Sequence, residues 1–466
     1  MGLLFFPRGG SAQVVRYLSR ALIAAGRPVT VVCGSLGEQG APGHAKTFFA
    51  DIDVVAAEYD DAVERWRRGE DPMDAPFPMH PSYEERAGVP DRSFPRVSPA
   101  QGAAAVAAWT RLVAGSPELR RADVFHLHHL TPIHDAVAVA CADVPIVTHL
   151  HGTELKLLAA IASGEAVGPY AGWWAEQMRV SARRSAVTIA ISPHQHDEAA
   201  RLLELEPAKV QVLPDGVDAE RFAVRRASAG ERRTHWLEWL VRDPQGWDEA
   251  TRVAGSVRYS EQEVEEAFFD RATGASRPVL IYVGRFLGFK RVPLLVRAYA
   301  RARTRMSVPA PLVIWGGATG EWEGEHPHTV ATREGADGIF FAGWRGHDDL
   351  PLGLAAADCF VAPSTDEPFG LVYLEAMACG LAVIGTRSGG PPSFINVVPG
   401  EPDGWLVPPD DEEALAATIV RAVEDSALRA RCGENAARHV RESYSWNGLA
   451  SRFAEVYERV GVARAR

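Results

Sequence analysis

The amino-acid sequence predicts an α/β protein made of two doubly wound parallel-sheet domains. Three observations carry that expectation. Short apolar or β-branched runs alternate with longer helical stretches along the chain. The runs are apolar almost without interruption, as strands buried on both faces by helices are. The alternation also restarts midway through 466 residues, a length beyond one ordinary core.

In the first series the strand candidates are "LLFF" (3–6), "VTVVCG" (29–34), "DVVAAE" (53–58), "VFHLHHL" (124–130), "PIVTHL" (145–150), "AVTIAIS" (186–192) and "VQVLP" (210–214). Between the first two, "SAQVVRYLSRALIAAG" reads as a helix with Val14, Leu18, Leu22 and Ile23 on one face and Gly26 as its stop. In the second series they are "VLIYVGR" (279–285), "PLVIWGG" (311–317), "GIFFAGW" (338–344), "CFVAPS" (359–364), "LAVIGT" (381–386) and "GWLVPP" (404–409). Strand–helix alternation implies parallel sheets with right-handed crossovers. Ligands then belong at the carboxyl ends of the strands, and a cleft between the two facing domains is the expected site.

Two stretches break the alternation. Residues 60–100, with "DPMDAPFPMHPSYEERAGVPDRSFP", are rich in Pro and charge and read as a long loop. Residues 223–277 carry helical patterns with Trp236, Trp239 and Trp247. They read as a surface insertion whose tryptophans pack on the parent domain, with a lid over the cleft as the alternative.

Composition narrows the function. Apolar residues are 47% and charged residues 23% of the chain, a globular balance, and the net charge of −11 makes it a poor candidate for sequence-independent nucleic-acid binding, which needs a basic footprint. Cys33, Cys141, Cys359, Cys379 and Cys432 are odd in number, scattered and without a C-x-x-C, which points to a reducing, cytoplasmic setting. No run is long enough to span a membrane, and the apolar stretch in "MGLLFFPRGG" is too short for a secretory signal core.

The chemistry gathers in a few places. In "DEPFGLVYLEAMACG" (366–380), Glu367 and Glu375 stand with seven residues between them. Glu367 lies in the turn after a strand and Glu375 inside the following helix, which Gly380 ends. The amides of Phe369, Gly370 and Leu371 sit at the helix start, where unpaired N–H groups and the helix dipole favour a phosphate. The carboxylates therefore read as gripping two parts of one ligand; a cap plus an exposed helix carboxylate is the plainer alternative. In "YVGRFLGFKR" (282–291), Arg285 and Lys290 follow a strand, and a forked donor with a point charge suits a diphosphate. Gly9 and Gly10 join the first strand to the first helix without forming G-x-G-x-x-G, so a nicotinamide site is poorly supported. Histidines gather at 126, 128, 129, 134, 149 and 151 with no carboxylate or Cys at ligand spacing, so no metal site is expected. His151, in "HGTE", ends a strand. "DID" (51–53) matches a D-x-D metal motif only at the level of chance.

These pieces resemble the retaining nucleotide-sugar glycosyltransferases of family 4, over most of the chain and in order: "FFPRGGSAQVVRYLSRAL", "HLHGTEL", "ISPHQHDE", "VLPDGVDAERF", "YVGRFLGFKR", "EPFGLVYLEAMACGLAVIGTRSGG" and "YSWNGLASRFAEVY". The resemblance implies the GT-B fold, two facing Rossmann-like domains with a deep interdomain cleft. Residues 1–215 would form the acceptor-side domain and 216–445 the donor-side domain, with an insertion at 223–277 and a final helix at about 446–466 crossing back. It also implies roles. Arg285 and Lys290 would neutralise the donor diphosphate. Phe369, Gly370 and Leu371 would hold phosphates or sugar hydroxyls through their amides. Glu367 would contact the transferred sugar and Glu375 the ribose. His151 would approach the donor sugar, and Gly9 and Gly10 would form a loop near the diphosphate.

The expected function is transfer of a hexosyl unit with retention, from a nucleotide sugar (a UDP-sugar favoured) to a hydroxyl of a soluble small acceptor, without cofactor or metal. An epimerase or phosphorylase on the same fold, or a non-catalytic nucleotide-sugar-binding subunit, are the other readings. Residues 1–215 hold 20 Lys and Arg against 25 Asp and Glu, so attraction to an anionic membrane is weak on average, although Arg16, Arg20 and Arg27 offer a local basic face. Three features depart from the family pattern: Asp215 where Asn is common, Ser393 where Glu is common, and "WGGATG" (315–320) in place of Gly-x-Gly.

Overall fold

The structure is a computed structural model that describes residues 1–4, 10–84 and 88–464. The chain divides into two units, Met1–Asp215 with Trp446–Arg466 and Gly216–Ser445. Each has its own sheet, and the thirteen strands among the described residues all overlap runs picked out by apolar continuity.

The first sheet comprises β1 (Gly2–Leu3), β2 (Thr30–Ser35), β3 (Asp53–Glu58), β4 (Phe125–His128), β5 (Ile146–His149), β6 (Val187–Ala190) and β7 (Val210–Val212). Its order is β3-β2-β1-β4-β5-β6-β7 and every pairing is parallel. The order reverses direction between β1 and β4, the place where a doubly wound sheet opens a crevice at its carboxyl edge. Phe5 and Phe6 of the first run lie outside the described residues.

The helix Gly10–Ala24 buries Val14, Val15, Leu18 and Leu22. Ile23 departs from the expected face: it lies about 100° further round than Leu22 and is 37% exposed. Gly26 ends the helix at φ 77°, where the Arg27 N–H donates to the Leu22 carbonyl at 2.9 Å. The carboxy-terminal helix Trp446–Arg464 also belongs to this unit, with Phe453 and Tyr457 against the His126 ring.

The segment 60–100 is not one long loop. Its first residues form the helix Asp60–Arg67, with two acids in the first turn and arginines in the last, an order that complements the helix dipole. The described part of the proline-rich remainder holds the short 3-10 turns Pro72–Asp74 and Phe94–Arg96 and is anchored by Met73, Met79, Phe94 and Val97 in the core of the unit.

The second sheet comprises β8 (Leu280–Gly284), β9 (Leu312–Gly316), β10 (Ile339–Gly343), β11 (Cys359–Val361), β12 (Ala382–Thr386) and β13 (Gly404–Val407). Its order is β10-β9-β8-β11-β12-β13, again wholly parallel, with the reversal between β8 and β11. Ile281, Ile314, Phe360, Val383 and Ile384 are buried completely or nearly so.

The insertion packs on this sheet. Capping boxes at Ser228/Glu231 and Ser260/Glu263 start the helices Ala229–Leu237 and Glu261–Phe268. Trp236 rests on Phe268, Trp239 meets Trp315 edge-on, and the Trp247 indole donates to the Gly317 carbonyl at 2.8 Å. Tyr259 accepts from the backbone N–H of Phe341, so the insertion also covers edge strand β10. Trp239 and Trp247 thus anchor the insertion on the parent sheet, while Trp236 packs inside the insertion itself.

Candidate functional site

Lys290 and Glu367 meet at the reversal of the second sheet. Lys290 follows β8 and Glu367 follows β11, neighbouring strands on either side of the reversal. The Lys290 ammonium donates to a Glu367 carboxylate oxygen at 2.5 Å, with side chains only 15% and 9% exposed. The two loops are held together by the backbone N–H of Thr365, which donates to the Phe289 carbonyl at 2.7 Å. Lys290 also lies 5.1 Å from the Phe289 ring centroid, so its charge sits between a carboxylate and an aromatic face. Arg285 is exposed at the end of β8, its carbonyl accepting from the Tyr282 hydroxyl at 3.0 Å. Burial pushes the phenols of Tyr282 and Tyr373 up, with the Glu367 charge the next cause, so both remain protonated donors.

The helix Leu371–Ala378 starts beside this pair. Gly370 caps it at φ 110°, a conformation that favours glycine, and an added Cβ would lie 2.8 Å from the Tyr373 ring. The first amides of the helix, including Leu371, have no carbonyl four residues back within it. The Phe369 ring is 2% exposed and packs on Phe394, so only its backbone is available to a ligand. Gly389 and Gly390 press on the same loop: the Gly390 N–H donates to the Glu367 carbonyl at 2.7 Å, and a Cβ on Gly389 would lie 2.5 Å from that oxygen. Glu375 turns elsewhere and bonds the His347 ring at 2.7 Å. Sequence spacing gave no sign of that partner, 28 residues away. Ser393, standing where the family pattern has Glu, spends its hydroxyl on the Gly390 carbonyl at 2.6 Å.

The other candidates belong to the first unit. Gly10 opens the first helix, and Gly9 lies outside the described residues. His151 sits in the turn between β5 and the helix Thr153–Ser163. Its backbone N–H donates to Glu154 at 2.7 Å, and its ring nitrogen lies 2.9 Å from Nδ1 of His128. Burial, then the neighbouring histidines, hold His151 well below the usual imidazole range, so it is neutral at pH 7. Glu154 is fully buried; burial alone would raise it, but the His129 charge and bonds from His129 and backbone amides prevail and hold it below the ordinary value.

The histidine cluster is closer-knit than the sequence suggested. His126, His128, His149 and His151 stack, while His134 turns away to Thr148 at 2.9 Å. No carboxylate stands at ligand spacing in the sequence, but the fold brings one in from a distance. Asp215, 64 residues beyond His151 in the chain, comes within 3.4 Å of His149 and is 2% exposed.

The expected basic face can be placed as well. Arg16 lies over Phe48, Arg20 donates to the Ala50 carbonyl, and Arg27 pairs with Glu458, so the basic face is engaged locally. A mainly apolar cavity of about 550 Å³, lined by Val106, Leu130, Trp173, Trp174 and Met178 among others, contains none of the expected site residues.

Comparison with known proteins gives the family. Residues 8–221 match the family described as Glycosyltransferase Family 4, and residues 263–439 match Glycosyl transferases group 1. The chain is 28% identical to D-inositol 3-phosphate glycosyltransferase of Salinispora arenicola over 67% of its own length, spanning 63% of that relative, under two thirds. It is also 28% identical to Glycogen synthase of Mycobacterium tuberculosis, over 96% of this chain and 91% of that protein. Among solved structures, sucrose-phosphate synthase from Thermosynechococcus elongatus superposes with a TM-score of 0.64 at 20% identity, covering 98% of this chain and 94% of that one. Anabaena HepE, solved with UDP and glucose, gives 0.62 at 18% identity, covering 98% of both. At these identities the structural matches speak to fold, and the fold they share is GT-B. With a family match over each half, in the expected order, the chain belongs to the glycosyltransferases of family 4.

Proposed function

We propose that the chain transfers a hexosyl unit, with retention, from a nucleotide sugar to a hydroxyl of a soluble polyhydroxylated acceptor, with a UDP-sugar as the favoured donor. The observation that carries the reading is the Lys290–Glu367 pair at the reversal of the second sheet, beside the start of the helix Leu371–Ala378. A donor diphosphate there would receive Lys290, Arg285 and the amides of Gly370 and Leu371. In this reading Glu367 would take sugar hydroxyls, and Glu375 would have to leave its bond to His347 to reach the ribose.

In the transfer, the bond between the anomeric carbon and the phosphate oxygen breaks and a bond from the acceptor oxygen to that carbon forms. The acceptor proton passes to the leaving phosphate oxygen on the same face of the sugar. Lys290, Arg285 and the helix start compensate the charge that accumulates on the leaving diphosphate, without a donor-bound metal. Each charge-assisted bond is worth about 1.5–3 kcal/mol, roughly 10- to 150-fold in rate. HepE was solved with UDP, and relatives named for inositol phosphate and glycogen support a soluble sugar or polyol acceptor.

The test is turnover. UDP-, GDP-, ADP- and dTDP-sugars are incubated with a panel of polyol and sugar acceptors, and the products are read by proton NMR. The reading expects nucleoside diphosphate release that depends on acceptor, and an anomeric coupling unchanged from the donor. Conversion of donor to an epimer without acceptor, or a demand for inorganic phosphate, would replace it with one of the other enzyme classes.

A further inference from the structure

The cluster in the first unit holds an arrangement that the proposed transfer does not use. His149 and Asp215 are 0% and 2% exposed. Their facing atoms, His149 Nε2 and Asp215 Oδ1, lie 3.4 Å apart, and neither has a hydrogen-bond partner among the described residues. A carboxylate oxygen left unpaired in a protein interior is costly, so the arrangement calls for an occupant. Two donors bound to one tetrahedral ion at about 2.0–2.2 Å stand about 3.4 Å apart. A ring nitrogen of His151 lies within 4.8 Å of both.

The outer contacts suit the same occupant. Ligating histidines use one ring nitrogen for the ion and commit the other to a fixed partner. His149 meets this pattern: its Nδ1 lies 3.2 Å from Nε2 of His126, whose Nδ1 lies 2.7 Å from the Tyr457 hydroxyl. That chain orients the ring and leaves Nε2 directed at Asp215. His151 is held by His128 at 2.9 Å. A second grouping, His126, His128 and His149, is less open, because both nitrogens of His126 are already engaged.

We propose that His149, His151 and Asp215 form a binding site for a first-row divalent metal ion, best suited to Zn²⁺. Two imidazoles and one carboxylate form the donor set that zinc and its neighbours take, with a fourth position left for water or another ligand. The ion would tie Asp215, the last residue of the first unit before the chain passes to the second, to β5 and the turn that carries His151. This site is separate from the donor-phosphate reading, which needs no metal. The family resemblance also implies that His151 approaches the donor sugar, so the test reads metal content and spectrum, not activity.

The full chain is stripped with a chelator and loaded with Zn²⁺ or Co²⁺. One equivalent of Zn²⁺ per chain by elemental analysis is expected, with the visible absorption of four-coordinate Co²⁺ and a higher unfolding temperature on loading. Asp215→Asn keeps the side-chain shape and removes the charged donor. Loss of an outer partner alone costs about 10- to 100-fold in affinity, so this change and His149→Gln should each cost about 100-fold or more. His194→Gln, at an exposed histidine elsewhere, should leave uptake unchanged. Should Asp215→Asn fail to fold, the Co²⁺ spectrum of the unmodified chain still decides. Uptake far below one equivalent would overturn the proposal in favour of a proton shared between His149 and Asp215. Full uptake in both variants, which places the metal elsewhere, would overturn it as well.

Discussion

Lys290 and Glu367 carry opposite charges at 2.5 Å with little solvent around either, and that sets what their substitution should do. Removing one partner of a fully buried pair costs about 3–5 kcal/mol, because the other charge is stranded. Both groups here keep some exposure, so about 1–3 kcal/mol is expected. Lys290→Met should therefore lower stability to chemical denaturation by that amount. The double variant with Glu367→Gln should recover more than half of the loss, since no charge is then left alone. A double-variant loss equal to the sum of the losses in Lys290→Met and Glu367→Gln alone would mean that the two groups are not coupled. Nucleotide affinity should fall in both variants, which separates the structural role of the pair from its binding role.

At the scale of elements, the loop 366–369 is held from behind by Gly389 and Gly390. Gly389→Ala places a Cβ 2.5 Å from the Glu367 carbonyl at φ 68°, so the loop must move. The expected outcome is a protein that still folds but binds UDP at least about tenfold more weakly, read by calorimetry; unchanged affinity would show that the loop position is irrelevant. The strands were legible because runs buried on both faces leave a continuous apolar signature, and all thirteen overlap such runs. The start of the Leu371 helix and its stop at Gly380 were legible for the same local reasons of glycine and turn chemistry. What was not legible depended on distance in the chain. The partners of Glu375 and His149 come from 28 and 66 residues away, and no spacing rule reaches them. The helix Asp60–Arg67 was hidden by the prolines that follow it, although its own charge order favours a helix. Ile23 leaves the buried face because one more residue along a helix turns the side chain about 100° away.

At the scale of the whole molecule, each unit contains a fully buried histidine that responds to pH in the same sense. Burial, as the largest cause, lowers His134 in the first unit and His326 in the second to about 4 from 6.5. The unfolded chain therefore binds these protons first as pH falls. Stability is fully present above about pH 6.5 and is lost towards about pH 4, at up to about 3 kcal/mol for each histidine. Thermal unfolding followed between those limits should show a falling midpoint; a midpoint that rises on acidification would contradict the sign. The central claim concerns the second unit and its donor. It is tested most directly by calorimetric titration of UDP into the chain and into Lys290→Ala. The account predicts saturable one-to-one binding that weakens about 10- to 150-fold in the variant, the worth of one charge-assisted bond. Equal affinity for UDP in the two proteins, or no binding to either, would contradict it.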